Sequence, residues 1–140
     1  MLQNNDLGKK ENLEFNKTED GLFVNLKGNR TISSLDLLHH LKPIHTLDIS
    51  ESNLKTLSFI KGLQVKKLIM NNTKISDLSP LIGEPLEEIR MRGTGVKNIN
   101  PLLKVESLKV FYTGKMYPKK EIEKLPQTVK IEINPGKNKK

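Results

Sequence analysis

The sequence predicts an α/β solenoid, with short parallel strands stacked side by side and each followed by a tight return segment of 3₁₀ character. Three observations predict it. An apolar template recurs with a step of 21 residues. Ile44, Leu47 and Ile49 lead to Leu54, Leu57 and Leu63; Val65, Leu68 and Met70 lead to Ile75, Leu78 and Leu81; Leu86, Ile89 and Met91 lead to Val96, Ile99 and Leu102. A fixed period of this length marks a repeat architecture. The first half of each unit alternates, so its outer residues point inward and the middle one outward, as in a short strand. The second half has only about ten residues to reach the next strand, too few for a full crossover helix. Its apolar residues lie three apart, the spacing of a 3₁₀ turn with one face toward the core.

Taken in order, residues 1–12 read as a disordered polar tail, and residues 13–134 as a single domain. Leu13 and Phe15, then Leu22, Val24 and Leu26, alternate around a polar stretch and predict a β-hairpin cap over 13–26, closed by Glu19, Asp20 and Gly21. Its second strand is the first of the array, whose repeats run over about 22–113, and Asn29 and Ile32 follow it. Pro80 and Pro101 occupy equivalent places in successive repeats, with Gly62 and Gly83 turning the chain nearby. Ser52, Thr73 and Thr94 fall three residues after each strand's last inward residue. A hydroxyl there is expected to turn inward and satisfy backbone groups freed as the chain leaves the strand. After residue 113 the template breaks at 114–118. A short helix over 119–125, with Ile122 and Leu125 on one face and Pro126 ending it, leads to a strand through Val129, Ile131 and Ile133. Helix and strand form a C-terminal cap over 114–134. Both caps have a physical reason: the end units of a solenoid otherwise expose core and open strand edges. Lys130 and Glu132 suit an edge that must not recruit another chain. Residues 135–140, a basic tail, read as disordered.

Composition excludes several function classes. There is no Cys, so thiolate-ligated zinc, disulfides and thiol catalysis are ruled out. Trp is absent and aromatics make up 4%, which argues against an aromatic-rich pocket or a base-stacking platform. The first ten residues hold no apolar run, so no signal peptide is visible, and no stretch is long enough to span a membrane. A cytoplasmic location is the default expectation, an extracytoplasmic one if the chain is a piece of a larger protein. The net charge of +8 is uneven: residues 1–70 hold ten Lys/Arg against eight Asp/Glu, residues 71–140 fourteen against eight. Three of the latter lysines (Lys137, Lys139 and Lys140) sit in the tail, and the excess serves mainly solubility.

The repeat, LxxLxLxx(T/N)xIxxLxPLxxxP, appears here as VKKLIMNNTKISDLSPLIGEP and LEEIRMRGTGVKNINPLLK. It resembles the short leucine-rich repeats of the bacterial internalin type, and the SDLSPL-containing repeats of some bacterial receptor-like serine/threonine kinases. The resemblance covers roughly residues 22–113. It implies a right-handed leucine-rich repeat superhelix whose parallel sheet lines a concave face, and a protein-recognition role whose contact residues vary between members. No kinase motif is present, and the helical N-terminal cap of internalins is missing.

On such a sheet the exposed residues form columns. The central one is expected to be Asn25, Asp48, Ile69, Arg90 and Tyr112. The row before it reads Phe23, Thr46, Lys67, Glu88 and Val110, and the row after it Lys27, Ser50, Asn71, Arg92 and Gly114. Arg and Tyr are enriched at interface hot spots, and Ile69 stands out as an exposed aliphatic. The predicted protein-binding face therefore comprises Asp48, Lys67, Ile69, Glu88, Arg90, Arg92 and Tyr112. It centres on Ile69, Arg90, Arg92 and Tyr112. The partner is an unidentified protein or peptide, the chain is expected to be non-enzymatic and without cofactor, and a monomer is favoured over a dimer through an edge strand. Two alternatives stand beside this reading: a structural spacer within a larger protein, and a polyanion binder using Arg90, Arg92, Lys67 and the basic C-terminal half. His39, His40 and His45 with Asp36 and Asp48 make a poor metal site, since adjacent histidines diverge. The lysine pairs lack aromatic interleaving, which argues against nucleic acid.

Overall fold

The computed structural model describes residues 14–19, 21–28, 38, 40, 43–114 and 117–133. The expectations for both tails, and those for Asp20, Asn29, Ile32, Asp36 and His39, lie outside these residues.

Among the described residues, seven strands form one sheet in chain order: β1 (Glu14–Thr18), β2 (Gly21–Asn25), β3 (Ile44–Asp48), β4 (Lys67–Ile69), β5 (Glu88–Arg90), β6 (Val110–Thr113) and β7 (Lys130–Ile133). β1 and β2 pair antiparallel as the N-terminal hairpin. Every later pair is parallel, and from β3 to β5 the register advances by 21 residues: Leu47 faces Leu68, which faces Ile89. Ile44, Val65 and Leu86 are all buried on equivalent rungs. The 21-residue period of the sequence is therefore the strand-to-strand step of the sheet.

The core lies on one side of this sheet. Leu47, Leu68, Ile89 and Phe111 point into it, met by the return segments through Ile75, Leu78 and Leu81 and through Val96, Ile99 and Leu102. Three 3₁₀ turns, Ser58–Ile60, Ser79–Leu81 and Asn100–Lys104, carry the second row. In the first return segment the residue matching Leu81 and Leu102 is Ile60, not Leu63 as the apolar pattern suggested. Ile60 is buried within the turn, and Leu63 adds a further buried side chain beyond it. Phe59 fills the place held by Pro80 and Pro101. Each turn is opened by a side chain on the same rung. Asp77 Oδ1 accepts the Ser79 N–H at 2.9 Å and Asn98 Oδ1 the Asn100 N–H at 2.9 Å, while Thr56 and Ser58 share a hydroxyl bond. The Ser79 N–H and hydroxyl, both donated to Asp77, hold its carboxyl below its ordinary range.

Where the chain leaves each strand, Thr73 donates its hydroxyl to the Met70 carbonyl at 3.0 Å and Thr94 to the Met91 carbonyl at 3.1 Å. Ser52 serves differently, accepting the Leu54 N–H. Just before these residues the backbone turns left-handed on a shared rung, with positive φ at Gly28, Glu51, Asn72 and Gly93.

The sequence reading broke the template at 114–118, and the structure corrects this at Tyr117. It lies 21 residues after Val96 and takes the same inward rung, where its phenol donates to the Val96 carbonyl at 2.8 Å. Its ring meets Phe111 at 6.2 Å between centroids. A bulky polar residue ends the stack because its hydroxyl finds a backbone acceptor one repeat back. The helix α1 (Lys119–Glu123) is shorter than the expected 119–125, yet Leu125 is buried as anticipated. The Leu125 N–H reaches the Ile122 carbonyl, tightening the last turn before Pro126.

Candidate functional site

The side of the sheet away from the core carries the predicted columns in register. Asn25 faces Asp48, Asp48 faces Ile69, Ile69 faces Arg90 and Arg90 faces Tyr112. The preceding row, Phe23, Thr46, Lys67, Glu88 and Val110, is equally continuous. β7 extends both rows, setting Lys130 beside Val110 and Glu132 beside Tyr112. The predicted columns end at β6; β7, which the sequence assigns to the C-terminal cap, adds one more residue to each.

These side chains form a connected polar surface. Glu88 holds the Arg90 Nε at 2.6 Å and lies 3.6 Å from the Lys67 Nζ. The Arg90 guanidinium carbon sits 4.2 Å from the centroid of the Tyr112 ring, a cation–π contact across neighbouring strands. Lys130 and Glu132 pair at 2.9 Å, and that hydrogen bond raises the Lys130 pKa, helped by the charge of Glu132. Asp48 accepts the Ser50 N–H at 3.0 Å. Four of the predicted residues, Lys67, Glu88, Arg90 and Tyr112, thus join in one chain of contacts.

Two expectations are corrected here. Ile69 is half-buried rather than fully exposed, flanked in register by Asp48 and Arg90. In the following row, Ser50 does not face solvent: it is 2% exposed, and its hydroxyl accepts the Asn71 N–H at 3.1 Å. Asn71 Oδ1 in turn accepts the Arg92 N–H at 2.8 Å. Where the chain leaves the strands, this row spends its small polar side chains on satisfying backbone N–H groups of the next repeat. Arg92 projects from the end of that ladder, exposed and without an ion-pair partner among the described residues. Asn71, Arg90, Arg92, Tyr112 and Thr113 line a shallow depression of about 220 Å³.

Comparison with known proteins agrees with this geometry. No protein-family model and no curated protein matches the chain. Among solved structures, an internalin from Listeria monocytogenes is similar, with a TM-score of 0.64 and 25% sequence identity over 75% of this chain. The fold is an internalin-like leucine-rich repeat solenoid. The aligned part is 32% of that internalin's length, so the chain spans about a third of it. An antiparallel hairpin opens this leucine-rich repeat array, and the 3₁₀ turns lie opposite the sheet. Leucine-rich repeat folds of this type generally serve protein interaction. Among the described residues no group of three or more His, Cys, Asp or Glu is placed to hold a metal ion, and no helix is long and apolar enough to cross a membrane.

Proposed function

We propose that this solenoid is a non-enzymatic recognition module that binds a protein or peptide on the face formed by Asp48, Lys67, Ile69, Glu88, Arg90, Arg92 and Tyr112. One observation carries the reading. Arg90 is held twice, by Glu88 at 2.6 Å and over Tyr112 at 4.2 Å, on a sheet face that leaves both half-buried. A long cationic side chain and a phenol fixed before binding lose little conformational freedom when a partner lands on them. These two residue types also dominate interface hot spots. The core needs neither of them, since Leu47, Leu68, Ile89 and Phe111 complete it from the other side.

Acidic residues interleave with the basic ones on this face, at Asp48, Glu88 and Glu132. A backbone polyanion would meet them at every second or third position, which disfavours the polyanion reading.

The test is selection of a random peptide library on the immobilised protein, followed by the double variant Arg90→Ala, Tyr112→Ala. Selected peptides are expected to lose binding to the variant, keep it for an exposed return-segment control, Lys97→Ala, and leave unfolding free energy within about 1 kcal/mol. Peptides that bind wild type and double variant alike would discard this face. A protein that enriches no peptide would favour the spacer reading.

A further inference from the structure

We propose that the depression beside Arg90 and Arg92 takes the side-chain carboxylate of a partner's Asp or Glu, with an aliphatic partner residue two positions earlier resting on Ile69. The proposal rests on the recognition reading above and adds the chemistry of the ligand.

The depression is rimmed by donors. Asn71 commits its Oδ1 to the Arg92 N–H, so its amide N–H₂ group is the part left to face outward. Arg90 gives Nε to Glu88, which leaves the two terminal nitrogens of the guanidinium. The Arg92 guanidinium has no ion-pair partner among the described residues, and Tyr112, its ring against Arg90, lines the same depression. The acids of this face are already engaged: Asp48 by the Ser50 N–H, Glu88 by Arg90 and Lys67, Glu132 by Lys130. A group lined by N–H donors and guanidinium charge, with its nearby carboxylates occupied, calls for an acceptor-only anion, and Arg presents a fork that fits a carboxylate. The wider charge agrees, because residues 71–140 carry fourteen Lys/Arg against eight Asp/Glu and draw acidic segments toward this end.

The aliphatic element follows from spacing. Ile69 ends β4, half-buried and beside Arg90 in register, and precedes Asn71 by two residues, a backbone reach of at most about 7 Å. An extended ligand repeats the same distance between its residues i and i+2. The expected recognition unit is therefore aliphatic-x-acid.

The probes are acetylated, amidated heptapeptides with a central Leu-Ser-Glu, Leu-Ser-Gln or Leu-Ser-Lys, titrated into the whole chain up to millimolar concentration. Binding is followed by NMR shifts of the Asn71 side-chain amide and the Arg92 Nε–H. The Glu peptide is expected to bind about ten-fold or more tightly than the Gln peptide, the size of a charge-assisted contact. Arg92→Gln should erase that preference, and Arg92→Glu should pass it to the Lys peptide, both variants keeping the wild-type amide spectrum elsewhere. Equal binding of Glu and Gln peptides, or unchanged Glu-peptide affinity in Arg92→Glu, overturns the proposal. So does inorganic phosphate that moves these signals as strongly as the Glu peptide, since it assigns the depression to a free anion. Library peptides that need Arg90 and Tyr112 but show no acidic position sink the carboxylate while sparing the recognition surface; a library with no binders sinks both.

Discussion

At the scale of single residues, the left-handed rung separates sites that look alike. Gly28, Glu51, Asn72 and Gly93 share the conformation, with φ of 79°, 60°, 57° and 75°. A side chain there costs about 1–2 kcal/mol, which glycine avoids at an entropic cost of roughly half that. Glu51→Gly should thus raise stability by about 0.5–1 kcal/mol in urea unfolding. Gly93→Ala should lower it by at least about 1 kcal/mol, because the new Cβ also runs into Asn72 Oδ1. Equal effects at the two positions would refute the assignment. Tyr117 permits a pH test. Burial pushes its phenol above the ordinary value of 10.0, with Thr113 opposing part of the rise. The folded state then holds the proton more tightly than the unfolded one, so this contribution is intact below pH 10 and lost as pH climbs through the raised pKa. Tyr117→Phe should cost about 1 kcal/mol at neutral pH and flatten the alkaline decline relative to wild type.

At the scale of elements, the return segments are packing units more than helices. Leu78 is fully buried beneath the turn Ser79–Leu81, whereas Ile82, one residue past that turn, is 37% exposed. Leu78→Ala should destabilise by roughly 2–5 kcal/mol, and Ile82→Ala by no more than about 0.5 kcal/mol. Comparable losses in chemical denaturation would contradict the inward and outward assignment. These elements also show what was legible in the chain. Strands β3 to β5 and the inward leucines follow from alternation and the 21-residue period, and the hairpin and β6 from alternation alone, because burial imposes both patterns directly. Ile60 and Tyr117 were harder to read. The first return segment has Phe59 where the others have Pro80 and Pro101, and two buried residues after it, Ile60 and Leu63, fit the apolar slot; a tyrosine ends a rung otherwise filled by aliphatics. The columns of the sheet face were readable from register. Their internal bonds were not: nothing in the spelling of Ser50 or Asn71 tells whether the side chain meets solvent or a neighbouring backbone N–H.

For the whole molecule, each repeat touches chiefly the ones before and after it, so stability is distributed along a line. Amide exchange should be slowest in β3 to β5, which have strands on both sides, and faster in β1 and β7, which end the sheet. Uniform protection across all seven strands would mean a single cooperative block instead. The eight ion pairs among the described residues include several running between neighbouring repeats of this line, such as Lys66 and Lys109 on Glu87. The pairs on Glu87 are solvent-exposed, and raising salt should therefore change stability little while it weakens an acidic ligand.

The bonds that hop one repeat at a time set a rule for how such a chain can change length. Ser50 reaches Asn71, Asn71 reaches Arg92, Lys61 reaches Ile82 and Tyr117 reaches Val96, each across 21 residues. A duplicated block of residues 65–85 adds one more rung and returns each of these donors to an acceptor, while the uneven steps from Asn25 to Asp48, Arg90 to Tyr112 and Tyr112 to Glu132 show that a unit tolerates a residue or two more or less toward the ends. Growth by whole repeats is open to this protein.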